Sequence, residues 1–429
     1  MSWRAEPPPW PRGDSGGPHF RAGRRGSVTP SQRRLSLGGW LSRLGLVLAS
    51  CAVTLGVAET VLRLVPALRG ATTRDERFAF NPYRPDGRLG FTLRPGARVR
   101  HADRDFSVAV AVNALGARGP ERSRSKPPGT ARILLLGDSF AFGWGVEQHE
   151  TFGARLERLL SERVGPVEVL SAAVPGWSID QQALYLRAQG LALDPDLILL
   201  AASENDLEEM GLNRLTLDED RLPVRIEPMW RIIDAAGRMR YIGSRPAALP
   251  RQVWPGETWL KDHSHLYHWL RFRLVKASSA LAVRRARPPA PEWLTREPAV
   301  PIGRVGPDDL QRALVSSAEF RLRYHLFLWE AIEREARGRG VPVRTLLVAH
   351  SGETRPADPV LAGLHAACAA RREACLDSAR VISAAETPRF TFAHDSHWNR
   401  EGHQRIGEAL AAWLADNPEL RRGIRNGGG

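Results

Sequence analysis

The stretch ILLLGDSF, residues 133–140, joins a continuous apolar run to a glycine-containing turn. Four consecutive apolar residues predict a short strand that is covered on both faces, as in a parallel sheet. A small residue before a serine at a strand end allows a sharp turn that presents the hydroxyl of Ser139. Because Gly-Asp-Ser is also an ordinary loop sequence, the function of Ser139 depends on the residues that accompany it elsewhere in the chain.

Predicted strands and helices alternate after this stretch. Further apolar runs predict strands at 167–170, 197–201 and 345–349. Apolar residues at helical spacing follow the first strand and the second, and a last helix is expected near 404–414. Alternation of this kind predicts a doubly wound α/β fold, with a parallel sheet and right-handed crossovers.

Two further polar blocks follow predicted strands, where an open parallel sheet binds its ligands. Gly176 follows the second strand, and Asn205 follows the third. A glycine lets a backbone amide approach a reacting carbonyl closely, and an Asn side chain can donate another hydrogen bond. Together with the Ser139 amide, these groups would form an oxyanion hole. Taken singly, they are also explained as a turn glycine and a capping Asn.

The sequence HDSHWN at 394–399 precedes the last predicted helix. A serine hydroxyl is a poor nucleophile until a base accepts its proton, and a histidine does so best when a carboxylate fixes its tautomer. Asp395 and His397 can supply that pair from one loop. A metal site built from His394 and His397 is the alternative, but no cluster of further carboxylates or cysteines lies nearby in the sequence. We therefore expect no metal and no cofactor.

These four blocks, in this order and at these strand ends, resemble the SGNH (GDSL-like) hydrolase family over roughly residues 118–414. The resemblance implies a three-layer α/β/α sandwich with a flavodoxin-like parallel sheet. It implies Ser139 as the nucleophile, His397 as the general base and Asp395 as the carboxylate that orients it. It also implies an oxyanion hole made by the Ser139 amide, Gly176 and Asn205.

Two departures from the family pattern concern the third and fourth blocks. The glycine that usually precedes the Asn by two positions is Ser203, which would tighten that loop. The acid and the base are separated by one residue instead of two. Exported hydrolases and polysaccharide O-acetyltransferases of the alginate-modifying type show this shorter spacing followed by Trp and Asn, as at Trp398 and Asn399. The N-terminal region and the segment NALG at 113–116 resemble a membrane-anchored bacterial branch of the family.

The N-terminal region predicts a membrane anchor at 40–66, preceded by a disordered basic tail at 1–39. Arginines are concentrated before the apolar run, which favours a cytoplasmic N-terminus and an exported remainder, either periplasmic or outside the cell. A lipoprotein cleavage box that ends at Cys51 and a twin-arginine signal at 33–34 are the alternatives. The apolar run continues well past Cys51, so a retained anchor is preferred.

The rest of the chain predicts three further regions. Residues 67–129 are predicted to be a small β-containing segment followed by a polar linker. Residues 130–418 are predicted to be the hydrolase domain, and 419–429 a flexible tail. The alternation of strands and helices breaks down at about 207–307, which predicts an insertion over the active face. A single helix over 310–337 is expected to return the chain to the sheet.

The insertion is rich in aromatic residues and contains a short histidine-rich stretch. Its tryptophans are interpreted as core or lid packing, with stacking on sugar rings as the alternative. The histidine-rich stretch is interpreted as a polar surface in preference to a metal site, because its spacing does not place the residues on one face. The residues concerned are Trp230, Trp254, Trp259, Trp269 and Trp293, and Asp262, His263, His265 and His268.

The formal net charge of +14 comes almost entirely from arginine. We interpret it as a bias of codon composition, and we expect no nucleic-acid partner because no recognition motif accompanies the charge. Cys368 and Cys375 lie seven positions apart. They are either a disulfide formed in an oxidising compartment or two buried thiols.

The sequence thus predicts a membrane-anchored serine esterase of the cell envelope that acts through an acyl-enzyme. Its expected partners are the membrane and an ester substrate, by preference the acetyl ester of an exported glycan, such as an acetylated polysaccharide, or of a lipid. One alternative is a polysaccharide O-acyltransferase, in which a sugar hydroxyl replaces water. The other is a non-catalytic cell-envelope scaffold with the same fold, against which the five filled catalytic positions argue.

Overall fold

A computed structural model provides the structure of the chain. It describes residues 37–65, most of 80–233, 239–241, four positions between 264 and 270, and most of 290–426. The disorder predicted before residue 40 falls almost wholly outside the described residues. So do the histidine-rich stretch of the insertion and four of its five tryptophans. The chain divides into two compact units, Met1–Val57 and Ala58–Gly429.

The N-terminal apolar run forms helix α1 (Leu37–Leu64). Within Leu41–Leu64, an 18-residue stretch has a mean hydropathy of 1.9, and none of that stretch is buried inside the protein. By length and composition, this helix can cross a membrane. A retained anchor and a signal sequence share these properties.

Five parallel strands form the central sheet of the second unit. In chain order they are β1 (Ala131–Leu136), β2 (Val167–Ser171), β3 (Leu197–Ser203), β4 (Val343–Val348) and β5 (Cys375–Asp377). Their order across the sheet is β2-β1-β3-β4-β5, which confirms the predicted flavodoxin-like sheet. Strand β5 has only three residues and gives no apolar run, so the sequence indicated only the approach to a strand near Cys375.

Neighbouring residues of β1 contact opposite layers of the domain. The side chain of Leu135 lies beside Gly153, whereas that of Leu134 lies beside Gly190. Successive side chains of a strand point to opposite faces, so helical layers cover both sides of the sheet. Every residue of β1 is fully buried as a result. This arrangement confirms the predicted three-layer α/β/α sandwich.

The helices of this unit are α2 (Ser139–Phe142), α3 (Phe152–Val164), α4 (Ile179–Ala188), α5 (Asp206–Met210), α6 (Glu292–Arg296), α7 (Pro307–Ser316), α8 (Ala318–Arg337), α9 (Pro359–Ala370), α10 (Thr387–Phe390), α11 (Arg400–Leu414) and α12 (Pro418–Asn426). Helices α3 and α11 pack against each other, and α8 packs against both α4 and α9. The two sets form the outer layers of the sandwich.

Five antiparallel hairpins surround the sheet among the described residues. Their paired strands are Tyr83–Asp86 with Gly90–Leu93, Arg98–Ala102 with Ser107–Ala111, Asn213–Leu217 with Pro223–Pro228, Arg231–Ile233 with Met239–Tyr241, and Thr391–Phe392 with Asp395–Trp398. The last pair is called the His hairpin below. The first hairpin joins the main core, because Trp177 Nε1 donates to Phe91 O at 2.9 Å and Gln181 Nε2 donates to Leu89 O at 2.9 Å.

The single helix predicted at 310–337 is two helices, α7 and α8. Ser317 separates them with an extended backbone, and its hydroxyl accepts a hydrogen bond from Phe320 N at 3.1 Å. A serine in that position caps the new helix, which explains the break. The described insertion tryptophan, Trp293, packs edge-to-face on Phe320 with 5.8 Å between ring centres, consistent with a packing role.

The prediction of a flexible tail over 419–429 was wrong for most of its length. Helix α12 continues to Asn426, and Leu420 is fully buried. Only a few apolar residues lie among the arginines of this segment, so its sequence pattern did not predict a packed helix. Cys368 and Cys375 form a disulfide between the end of α9 and β5, which decides between the two alternatives left open above.

Candidate active site

Ser139 begins α2 directly after β1, at the carboxyl edge of the sheet. The side chain of Asp138 accepts a hydrogen bond from Phe140 N at 2.9 Å and caps this short helix. Gly137 is needed because a Cβ there would lie 2.6 Å from the Cβ of Ala141. The predicted turn therefore forms, but Ser139 is only 7% exposed. Its hydroxyl is directed at a neighbouring side chain and not at open solvent.

Ser139, His397 and Asp395 lie in one hydrogen-bonded chain. His397 Nε2 is 2.7 Å from Ser139 Oγ, and His397 Nδ1 is hydrogen-bonded to Asp395 Oδ1. The same carboxylate oxygen accepts the backbone N–H of His397 at 2.9 Å. Asp395 and His397 belong to one strand and are two positions apart, so their side chains lie on the same side of it. A separation of one residue is therefore sufficient for the pairing.

Two aromatic side chains hold the His397 ring. Trp144 stacks on it with 5.3 Å between ring centres, and Phe140 lies 4.7 Å away. Trp144 Nε1 also donates to Asp395 Oδ2 at 3.1 Å. Trp144 was not singled out in the sequence analysis. An imidazole fixed in this way can take a proton from the serine hydroxyl.

The Asp395 carboxyl is partly buried, which by itself would raise its pKa. The hydrogen bonds and charge of His397, together with the Trp144 N–H, outweigh burial and lower the pKa of Asp395 to about 2. The carboxylate is therefore ionised throughout the neutral range.

Arg118 is a further residue of the site that sequence reasoning missed, because it was assigned to a polar linker. It is 2% exposed, and its guanidinium donates to Phe142 O (2.9 Å), Gly143 O (2.5 Å) and Val146 O (2.6 Å). Burial lowers the pKa of Arg118 to about 10, so it is still charged at neutral pH. These bonds satisfy the carbonyls at the end of α2 and hold the turn that carries Ser139.

Gly176 follows β2 with a φ of +88°, in the left-handed region that glycine tolerates. Its carbonyl accepts a hydrogen bond from Arg231 Nη1 at 2.6 Å, and a Cβ at Gly176 would lie 2.6 Å from the same atom. Arg231 is also paired with Glu209. An insertion residue 55 positions away therefore supports the Gly176 loop, and no local sequence signal indicates it.

Asn205 follows β3, the neighbour of β1 on the side opposite β2. Its Oδ1 atom is buried and has no hydrogen bond within the described residues. Ser203, which departs from the family pattern, donates its N–H to Asp206 Oδ2 at 3.1 Å, and its hydroxyl is 2.7 Å from His350 Nε2. The structure thus brings Ser139, Gly176 and Asn205 to one edge of the sheet, at the ends of three adjacent strands.

His394 does not take part in the Ser139 hydrogen-bond chain. Its Nδ1 atom lies 2.7 Å from Asp105 Oδ1, and its side chain is 42% exposed. Within the part of the chain that the structure describes, no three His, Cys, Asp or Glu side chains are arranged to hold a metal ion. The metal alternative for His394 and His397 therefore has no geometric support among these residues.

Some solved structures are similar over about two thirds of the chain. A G-D-S-L family protein from Desulfitobacterium hafniense DCB-2 is 12% identical and covers 66% of this chain and 99% of its own, with a TM-score of 0.34. A GDSL-like lipase from Bacteroides thetaiotaomicron is 13% identical, with coverages of 65% and 85% and a TM-score of 0.21. A two-domain esterase active on acetylated mannans is 10% identical, with coverages of 68% and 50% and a TM-score of 0.29. No curated protein matches the chain significantly.

A family model gives the more specific finding. Residues 135–282 match the GDSL-like lipase/acylhydrolase family, a segment that includes Ser139, Gly176 and Asn205 and ends before the His hairpin. The matched segment begins in β1 and contains β2 and β3. The matched segment therefore identifies a GDSL-like lipase/acylhydrolase domain in the chain, and this similarity supports an ester-hydrolysing enzyme.

Proposed function

We propose that this enzyme is a serine esterase that cleaves a carboxylic ester, by preference an acetyl ester, through an acyl-enzyme on Ser139. Ser139 Oγ bonds to the acyl carbon while His397 takes the hydroxyl proton and Asp395 orients the imidazole. The amides of Ser139 and Gly176 and the Asn205 side chain stabilise the oxyanion. His397 then gives its proton to the departing alcohol. Water, deprotonated by His397, releases the acid, and the proton returns to Ser139.

The hydrogen-bonded chain from Ser139 through His397 to Asp395 is the observation that carries this proposal. It joins residues 258 positions apart in the sequence. The ionised Asp395 stabilises the imidazolium that forms when His397 takes the proton, and the stacked rings fix its orientation. The same geometry argues against a non-catalytic scaffold, for which none of these contacts is needed.

The test is Ser139→Ala with 4-nitrophenyl acetate as substrate. We expect hydrolysis to fall to the background rate, a loss of at least about 10³-fold, with thermal unfolding unchanged. Ser316→Ala is the matched control, because that exposed hydroxyl only bonds Arg312 O within α7. A fluorophosphonate should label the wild type and the control but not the Ser139 variant. Undiminished hydrolysis by Ser139→Ala would disprove the assignment.

We also propose that the domain faces an oxidising, extracytoplasmic compartment. Two features support this location: an apolar helix preceded by a basic segment, and the Cys368–Cys375 disulfide, a bond that reducing compartments do not maintain. Esters of an extracytoplasmic glycan or lipid would then be within reach. Protease added to cells with a permeabilised outer envelope should digest the domain while a cytoplasmic marker survives. Protection of both would contradict the proposal.

A further inference from the structure

A cleft of about 990 Å³ lies beside the His hairpin, between the ends of β3 and β4 and helix α9. Asn205 and Asp395 line it, so it adjoins the position that the reacting ester would occupy. Its other walls come from α5, from α9 and from the loop before the His hairpin. The catalytic residues hold only the ester group, so a space of this size is available for the rest of the substrate.

A network of hydrogen bonds across three strand ends stiffens one wall of the cleft. His365 lies between two carboxylates, with Nδ1 2.6 Å from Asp377 Oδ2 and Nε2 2.9 Å from Glu204 Oε1. The other oxygen of Glu204 accepts the backbone N–H of His350 at 2.9 Å. Hydrogen bonds to Asp377 and Glu204 raise the pKa of His365 to about 10, so this side chain is a fixed cation.

His350 supplies a second polar group to the same wall. Its Nε2 atom is held by the buried Ser203 hydroxyl, while Nδ1 has no hydrogen bond to the described residues. Burial lowers the pKa of His350, so the ring is neutral and adds no charge to the cleft. Nδ1 is therefore a fixed hydrogen-bonding group that is available to a ligand.

The cleft is acidic, although the whole chain carries a formal charge of +14. Among the described lining residues, four side chains are negatively charged and two are positively charged. The negative charges belong to Glu204, Glu208, Asp358 and Asp395, and the positive charges to His365 and Arg321. His394 pairs with Asp105, so this pair adds no positive charge. The lining therefore has an excess of two negative charges, and an anionic ligand would be repelled.

We propose that this cleft binds the alcohol part of the ester, and that this alcohol is neutral and polyhydroxylated, as in an uncharged sugar unit. The inference deepens the proposed function and rests on it. Hydroxyl groups can donate to Glu208 and Asp358 and can exchange hydrogen bonds with His350 Nδ1. Apolar side chains between these groups, Leu207 and Leu361 among them, suit the C–H faces of a sugar ring.

Three acetyl esters with alcohol parts of similar ring size provide the test. They are methyl glucoside acetylated at O3, methyl glucuronide acetylated at O3, and cyclohexyl acetate. The first two differ at C6, which carries a hydroxyl or a carboxylate, and the third lacks ring hydroxyls. We expect the highest kcat/KM for the glucoside, exceeding that of the glucuronide by about 10-fold at low salt and by less as the salt concentration rises. A glucuronide that reacts as fast would overturn the charge inference, and equal rates for cyclohexyl acetate would overturn the hydroxyl inference.

Substitutions of two lining carboxylates sharpen the test. Glu208→Gln and Asp358→Asn each remove one charge at nearly constant size, and Asn at 358 can still cap α9. Each should lower the glucoside-to-glucuronide ratio about threefold. Glu162→Gln is the control, because Glu162 is exposed on α3 and pairs with Arg158 outside the cleft. An unchanged ratio in both cleft variants would overturn the inference.

The two proposals fail in distinguishable ways. Loss of 4-nitrophenyl acetate hydrolysis in Ser139→Ala tests the esterase chemistry, and that substrate has no sugar alcohol. The enzyme could hydrolyse the aryl ester through Ser139 but prefer the glucuronide or cyclohexyl acetate. That result would support the proposed function and overturn the inference about the cleft. An enzyme with no Ser139-dependent hydrolysis of any of the four esters loses both.

Discussion

The proposed nucleophile and the proposed base are held in place by different kinds of contact. Ser139 follows a strand that is fully buried, and Arg118 holds its turn with three hydrogen bonds. His397 and Asp395 lie in the His hairpin, outside the central sheet, with side chains 19% and 23% exposed. Asn399 is one of the residues that hold this hairpin, since its side-chain N–H groups donate to Arg389 O and Thr391 O at 2.8 Å.

This difference in support predicts how the Ser139 turn and the His hairpin should each respond to substitution. Changes behind Ser139 disturb the core, so they should lower stability and activity together. Changes in the His hairpin affect a small element outside the central sheet, so they should lower activity with a smaller loss of stability. The following experiments test this contrast, beginning with the largest expected effect.

Asp395→Asn should lower kcat by about 10²- to 10⁴-fold, because the amide cannot stabilise the imidazolium of His397 and favours the wrong tautomer. The midpoint of urea unfolding at neutral pH should fall as well, because the ionised Asp395 stabilises the folded state there, but by less than in a variant that disturbs the core. Steady-state kinetics with 4-nitrophenyl acetate and urea titrations measure the two quantities. A drop in kcat of less than fivefold would mean that Asp395 does not orient His397.

Arg118→Met should lower the free energy of unfolding by about 3 kcal/mol, because three buried carbonyls lose their donor. Activity should fall with it, since the Ser139 turn loses its support. Arg118→Lys keeps the charge but cannot reach all three oxygens, so an intermediate loss is expected. Wild-type stability in Arg118→Met would show that the turn is held by other contacts.

Asn399→Ala removes the N-cap of α11, a hydrogen bond to Arg389 O in α10 and a hydrogen bond to Thr391 O in the His hairpin. The free energy of unfolding should fall by about 1–2 kcal/mol, and kcat should fall about 10-fold as the hairpin loses its position. Asn417→Ala serves as the comparison, because Asn417 caps the distant α12 through its bond to Glu419 N. Equal kcat in both variants would contradict a positioning role for Asn399.

Trp144→Phe keeps an aromatic ring over His397 and removes the N–H that bonds Asp395 Oδ2. A smaller loss of kcat, about threefold, is expected. The pKa of Asp395 should rise, because one of the groups that lower it is gone. Titration of the carboxyl by NMR in both proteins measures the shift, and an unchanged pKa would exclude the contribution of Trp144.

The smallest predicted effect is a change in the free energy of unfolding at acid pH. The folded-state pKa of Asp395, about 2, lies below its ordinary value of 3.8. The carboxylate therefore contributes stability that is fully present above about pH 5 and is lost as the pH falls through about 4 towards 2. The difference in unfolding free energy between wild type and Asp395→Asn should be constant above pH 5 and shrink below pH 4. A difference that grows in acid would contradict the lowered pKa.

Local patterns in the sequence identified four of the five strands of the central sheet and the polar residues that follow them, whereas the flavodoxin-like sheet was implied by the family resemblance. Four apolar runs were long enough to mark strands, and Ser139, Gly176 and Asn205 each follow one directly. What could not be predicted depends on distant contacts. Arg118 in an apparent linker and Arg231 in the insertion resemble any surface arginine until the fold buries them. Strand β5 is too short for a pattern, and the helix break at Ser317 rests on a single cap.

The disulfide between Cys368 and Cys375 closes the same short segment that His365 and Asp377 bridge by a hydrogen bond. One wall of the cleft is therefore cross-linked by a disulfide bond, which forms only when the two thiols are oxidised. A chain made in a reducing compartment keeps two thiols there, and its cleft wall depends on non-covalent contacts alone. Protein for substrate studies should accordingly be produced where disulfides form. Enzyme purified from a reducing cytoplasm should still carry out the proposed ester hydrolysis at Ser139. Its substrate selectivity, however, should differ from that of the disulfide-bonded enzyme.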